Sequence, residues 1–162
     1  MQEKSAKYIR PDKVLLYLTI MLGLWLLMIL SAPALVQSGH NLLQAIGTAV
    51  YIFTDPVCHQ LPDRSLFLGS LPFPVCARCL FIYAGGFLVL LYGYFRREPK
   101  YWSKIFYFGI ALFVIAELIF EKVLAFQPLL ELRIISGLIT GILIFRLALE
   151  SIFFTGEKIS NE

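Results

Sequence analysis

Three cysteines and a histidine fall close together in this chain: Cys58-His59 and, with 17 residues between Cys58 and Cys76, Cys76-Ala-Arg-Cys79. A Cys-x-x-Cys pair sets two thiolates within reach of one ion, and the loop is long enough to fold back and add Cys58 and His59. Three soft sulfurs and one borderline nitrogen suit tetrahedral zinc, so Cys58, His59, Cys76 and Cys79 are the expected metal ligands. Because Cys58 and His59 are neighbours, sharing one ion requires a backbone kink. Without it, His59 stands beside the metal as a catalytic group. The same thiols support a second chemistry. A Cys-x-x-Cys at the outer end of a membrane helix can pass electrons to quinone, and Arg78 and the helix N-terminus both favour thiolate there. Cys58 is then the partner cysteine. Inert packing or a structural disulfide are the remaining readings, and a disulfide leaves one of the three thiols over.

Carboxylates form the second reactive set. Glu117 and Glu121 stand four residues apart, hence on one helix face, in a mainly apolar run that Lys122 also interrupts. A carboxylate inside a bilayer is costly and marks a site by default. Counted back from Phe126 at about 1.5 Å per residue, Glu121 lies roughly 7 Å and Glu117 roughly 14 Å deep. Arg78 and Arg133, at the heads of neighbouring helices, are the expected partners, with Glu117 within hydrogen-bond or one-water reach of one of them. Such a network either locks the helices together or forms a site. In the second case Glu117 acts as acid or base, while Arg64, Arg78, Arg133 and Glu121 hold the substrate. Arg146 and Glu150 are spaced as an anchoring pair, and the isolated His40 is expected in solvent.

The elements that carry these groups follow from composition. Of 162 residues, 59% are hydrophobic and 15% charged, against about 45–50% and about 25% in soluble domains. Disorder, a collagen repeat and a disulfide scaffold are excluded, and an integral membrane protein remains. The net charge of +3 does not point to nucleic acid, because the basic residues flank apolar runs and set topology. Four spans of roughly 20 residues are expected at about 14–36, 76–95, 105–126 and 132–149. They make one membrane domain over 14–155, between an N-terminal arm (1–13) and a tail (156–162). The first span is longer than a signal-peptide core and is expected to stay as an anchor.

Lys4, Lys7, Arg10, Lys13, Arg96, Arg97, Lys100 and Lys104 fall on one side, against Arg64, Arg78 and Arg133 on the other. The positive-inside rule places both termini in the cytoplasm of a multi-pass cell-membrane protein, with the cysteine loop outside. Residues 41–53 put Leu42, Ile46, Ala49, Val50 and Phe53 on one helical face but are too short to cross. They predict an interfacial helix on the outer leaflet, stopped at Thr54-Asp55-Pro56. Gly137-x-x-x-Gly141 predicts close helix packing.

The runs Cys58-His-Gln-x-Pro-x-Arg-Ser and Pro74-Val-Cys-Ala-Arg-Cys-x-x-Ile-Tyr83 resemble an uncharacterised family of small prokaryotic membrane proteins, a domain of unknown function. The likeness covers about residues 45–145 and continues in Glu117, Arg133, Ser136-Gly137 and Gly141. The chain departs from the family pattern at Glu117-Leu118, where the family has Asp-Gly, and at Phe81, where it has Gly. The resemblance implies a set of site residues and no reaction. The expectation is therefore an all-α, four-helix membrane bundle with an interfacial helix and an outward Cys/His loop holding zinc. Its partners are membrane lipids, extending to a lipid or lipid-linked substrate if it is an enzyme. A thiol–quinone redox protein and a non-enzymatic scaffold are the alternatives.

The orientation is directly testable. A reporter active only outside the cytoplasm should be active when fused at residue 70 and silent at residue 99; the reverse pattern overturns the topology.

Overall fold

The computed structural model describes residues 11–96, 103–123 and 130–160, with the backbone alone at some helical positions. Five helices run α1 (Pro11–Val36), α2 (Asn41–Thr54), α3 (Ala77–Arg96), α4 (Lys104–Val123) and α5 (Leu130–Ser160). Between α2 and α3 lie a 3₁₀ turn at Pro62–Arg64 and a small antiparallel hairpin, β1 (Phe67–Leu68) and β2 (Leu71–Pro72).

Among the described residues, three helical stretches are long and apolar enough to cross a bilayer: Lys13–Val36, Ala77–Phe95 and Leu130–Ser151. They correspond to three of the four expected spans. The remaining one, expected at 105–126, appears as the helix α4, in which the apolar stretch among the described side chains is Tyr107–Glu117. Residues 124–129 lie outside the described residues, as do residues 1–10 of the expected arm. The α5 backbone stays helical to Ser160, past the expected end of the last span.

Glycine sets how the bundle closes. A Cβ on Gly137 would strike the carbonyl oxygen of Arg78, and one on Gly141 that of Ile82. From the facing helix, a Cβ on Gly85 would stand 2.6 Å from the Leu138 carbonyl oxygen. Glycines of both helices thus bring the α3 and α5 backbones into contact, the close packing expected of Gly137 and Gly141. Small residues serve this purpose in membranes, where lipid gives no hydrophobic drive between helices. Leu15, Val89, Leu90 and Leu149 fill the bundle at one end, and Ile29, Val75 and Leu80 fill it beside the cysteines.

α2 spans almost the residues expected of it, but its direction is informative. A Cβ on Gly47 would lie 2.9 Å from the Val36 nitrogen and 3.0 Å from the Ala32 carbonyl. Further along, Phe53 meets Trp25 edge to face, with centroids 5.9 Å apart. The helix therefore folds back antiparallel along α1 as a helical hairpin, with Val50 and Thr54 buried. His40, in the turn, is exposed as expected.

The glycine seam makes a stability prediction. Gly141→Ala should cost about 1–3 kcal/mol through overpacking, seen as a lower unfolding midpoint in detergent. Gly109→Ala, whose Cβ would meet nothing within 4 Å, should not lower it.

Candidate metal centre

The approach to Cys58 is shaped by the end of α2. Thr54 is fully buried, and its carbonyl accepts hydrogen bonds from the backbone N–H groups of Val57 and Cys58, both at 3.0 Å. Two residues past Cys58, Gln60 adopts a left-handed backbone, φ 49°, which is uncommon for any residue but glycine. Its side chain turns back and donates to the Tyr51 carbonyl at 2.6 Å and to Thr54 Oγ1 at 3.2 Å. A helix end leaves carbonyls without partners, and Gln60 supplies one while reversing the chain.

The returning segment is tied down twice. Gln37 at the end of α1 donates to the Leu68 carbonyl at 2.8 Å, and the Tyr51 hydroxyl donates to the Pro72 carbonyl at 2.5 Å. Gly69, φ 65°, takes the first place of the two-residue hairpin loop, where a left-handed residue is needed. Pro74 and Val75 are then buried. The Cys76 carbonyl accepts from the Leu80 N–H at 3.0 Å, so Cys76 caps α3 and Cys79 falls in its first turn.

The outcome is a cluster of three thiols. The sulfurs of Cys58, Cys76 and Cys79 all lie within 4.8 Å of one another, and none is in a disulfide. Each is half-buried, and Cys58 and Cys79 pack against Ile29, Val75 and Leu80 beside Trp25 and Tyr83. The Cys58 thiol is held well below the ordinary thiol range, chiefly by hydrogen bonds from the Cys76 and Cys79 thiols. The Cys76 backbone N–H, 3.2 Å from the Cys58 sulfur, acts in the same direction. Burial opposes it.

His59 does not join this group. It is exposed and outside the set of metal-competent atoms that closes on the three sulfurs. Side chains of adjacent non-helical residues diverge, so turning Cys58 inward turns His59 away. Arg78, between the two cysteines of the pair, reaches across to α4 and donates from Nη2 to Glu117 Oε1 at 2.6 Å. Both side chains are largely buried, 19% and 14% exposed. This is the expected contact of the membrane carboxylate. Glu117 Oε2 is buried and accepts no hydrogen bond among the described residues.

Arg133 is buried in α5, one turn before Gly137. Arg64 belongs to the 3₁₀ turn, half-exposed and 3.9 Å from Asp63. Glu121 lies on α4, with its side chain outside the described residues. At the far end, Arg146 pairs with Glu150 at 3.5 Å, and the Tyr107 hydroxyl also donates to Glu150. Sequence reasoning gave Gln60, Tyr51, Thr54 and Gln37 no part in the site. The one available signal was Gln60, directly after Cys58-His59.

Residues 58–147 match the family described as Predicted membrane protein (DUF2085). The chain belongs to that family. The matched range begins at Cys58 and takes in the other two cysteines, Arg78, Glu117, Arg133 and the α5 glycines. An uncharacterised protein of Methanocaldococcus jannaschii is 30% identical over 136 residues, covering 77% of this chain and 85% of the relative. An uncharacterised protein of Methanothermobacter thermautotrophicus is 42% identical over 38 residues, covering 24% of this chain and 34% of that protein. No solved structure matches the chain.

In this DUF2085 protein, removing one partner of the Arg78–Glu117 pair strands a buried charge. Arg78→Leu and Glu117→Leu should each destabilise by about 3 kcal/mol, and the double variant by less than their sum. Unfolding midpoints of the four proteins measure this; strict additivity would show that the two charges do not act as a pair.

Proposed function

We propose that this protein is a multi-pass cell-membrane protein that holds one thiophilic metal ion, zinc, on Cys58, Cys76 and Cys79. The observation that carries the reading is the mutual approach of the three sulfurs to within 4.8 Å. Tetrahedral zinc with sulfurs at about 2.3 Å needs them about 3.8 Å apart, a spacing within the range that the cluster spans. Three protein ligands leave one position for water or a substrate atom, which is the pattern of catalytic rather than closed structural zinc.

The wider reading is a membrane-embedded enzyme acting on a lipid or lipid-linked substrate. His59 and Glu117 would carry protons, while Arg64, Arg78, Arg133 and Glu121 line its polar surroundings. In this reading α4 is the fourth span. An even number of crossings keeps both termini on the side of the eight Lys and Arg residues counted above, and the cysteine loop then faces outward.

A second reading is favoured by the same three thiols lying side by side with none in a disulfide. A Cys58 thiolate would be a nucleophile with two thiols beside it. Two of the three thiols would close a disulfide, and the two electrons and two protons released would reduce a quinone to a quinol.

Metal analysis separates these. Protein purified without added zinc or strong chelator should carry about one zinc per chain, lost in Cys79→Ser. Its thiols should resist alkylation until a chelator is added. Absence of metal with a reducible disulfide selects the redox reading, and absence of metal with three unreactive thiols removes both.

A further inference from the structure

We propose that α2 is a re-entrant segment whose free face meets lipid hydrocarbon, not an interfacial helix lying on the membrane. This rests on α1 crossing the bilayer and is independent of the metal. Direction is the first argument. Gly47 sits against Ala32 and Val36 at the end of α1, whereas Phe53 meets Trp25, eleven residues back from Val36. Eleven helical residues are about 16 Å, comparable to half the roughly 30 Å hydrocarbon thickness. The C-terminal end of α2 therefore lies deep in the leaflet that holds the C-terminus of α1.

Composition is the second argument. A helix lying flat at an interface carries a strongly charged or polar face, but Asn41–Thr54 contains no Asp, Glu, Lys or Arg. Its uncovered large side chains run along its whole length: Leu42 is 73% exposed, Ile46 46%, Ile52 70% and Phe53 66%. Leu24 and Leu27 of α1 are uncovered as well, so the occupant that fits both helices is acyl chain.

The backbone of the turn points the same way. Non-helical chain at membrane depth is tolerated only where protein satisfies its polar groups. At the end of α2 the Tyr51 carbonyl accepts from Asp55 N–H and Gln60 Nε2, and the Thr54 carbonyl accepts from two N–H groups. The unusual backbone of Gln60 has a purpose here: it closes the hydrogen bonding of a turn that water does not reach freely. The chain then climbs back, and Leu68 meets Gln37 at the level of the α1 end. Asp55 and His59, exposed at the bottom of this turn, are polar groups at depth, where such groups serve function by default.

Depth-dependent quenching tests the proposal. A genetically encoded fluorescent amino acid is placed singly at Leu42, Ile46, Ile52 or Phe53 in the full chain, leaving the cysteines untouched. The protein is reconstituted in phosphatidylcholine vesicles brominated at shallow or deep acyl positions. The expected result is increasing depth along the helix, a shift of roughly 16 Å between positions 42 and 53. Equal, shallow depth at all four positions overturns the proposal in favour of a surface helix. Quenching at 53 by aqueous acrylamide, with none from brominated lipid, overturns it as well. The exposed positions tolerate replacement, and the inner pair, 46 and 52, gives an independent slope if either end variant fails to fold. Zinc measured on the same preparations keeps the two readings apart: a depth gradient without zinc removes the metal and leaves the re-entrant helix.

Discussion

The contact of the α3 and α5 backbones through Gly137 and Gly141 is the constraint from which the other features follow. Because those positions carry no Cβ, α5 presses directly on the carbonyls of Arg78 and Ile82. Arg78 is thereby fixed by its backbone against one helix and by its guanidinium against another, through Glu117 on α4. Cys76 and Cys79 flank it within the same helical turn. The placement of two of the three sulfurs is thus a by-product of how tightly two helices can approach in a solvent that offers them no hydrophobic incentive.

The third sulfur comes from a separate construction. Cys58 hangs from the end of α2 and is turned toward α3 by Gln60 and by the ties of Gln37 and Tyr51 to the hairpin segment. Three thiolates this close repel one another strongly in a half-apolar setting, so the cluster must share protons or hold a cation. The hydrogen bonds converging on the Cys58 sulfur are the proton-sharing arrangement. A thiophilic ion would substitute one positive centre for those shared protons without moving the frame far. The apolar shell of Ile29, Val75 and Leu80 raises the stakes of either state by keeping the local dielectric low.

Much of this was legible in the residues. Apolar runs located α1, α3 and α5 because hydrophobic length is a direct demand of the bilayer. The extent of α2, the glycine spacing in α5 and the Arg78–Glu117 contact were also readable, since each is a local pattern or a charge with few affordable partners. Three things were not. Periodicity says which side chains share a face but not which way a short helix packs, so the direction of α2 along α1 needed Gly47 and the Trp25–Phe53 contact. Adjacency in sequence suggested that Cys58 and His59 could act together, whereas backbone divergence separates them. Gln60 offered only its place directly after Cys58-His59, because its role depends on a conformation that other residues adopt at a cost.

The glycine seam also imposes an order of events in time. The residues that hold the Cys-x-x-Cys turn from behind, Glu117 on α4 and Gly137 on α5, are synthesised long after the cysteines themselves. The three cysteines and the side chains packed on them, Trp25, Ile29, Val75, Leu80 and Tyr83, all belong to α1, α3 and the chain between α2 and α3, whereas Arg78 meets its carboxylate and its glycine only when α4 and α5 arrive. The last two helices therefore lock from behind a turn whose other parts are made before them.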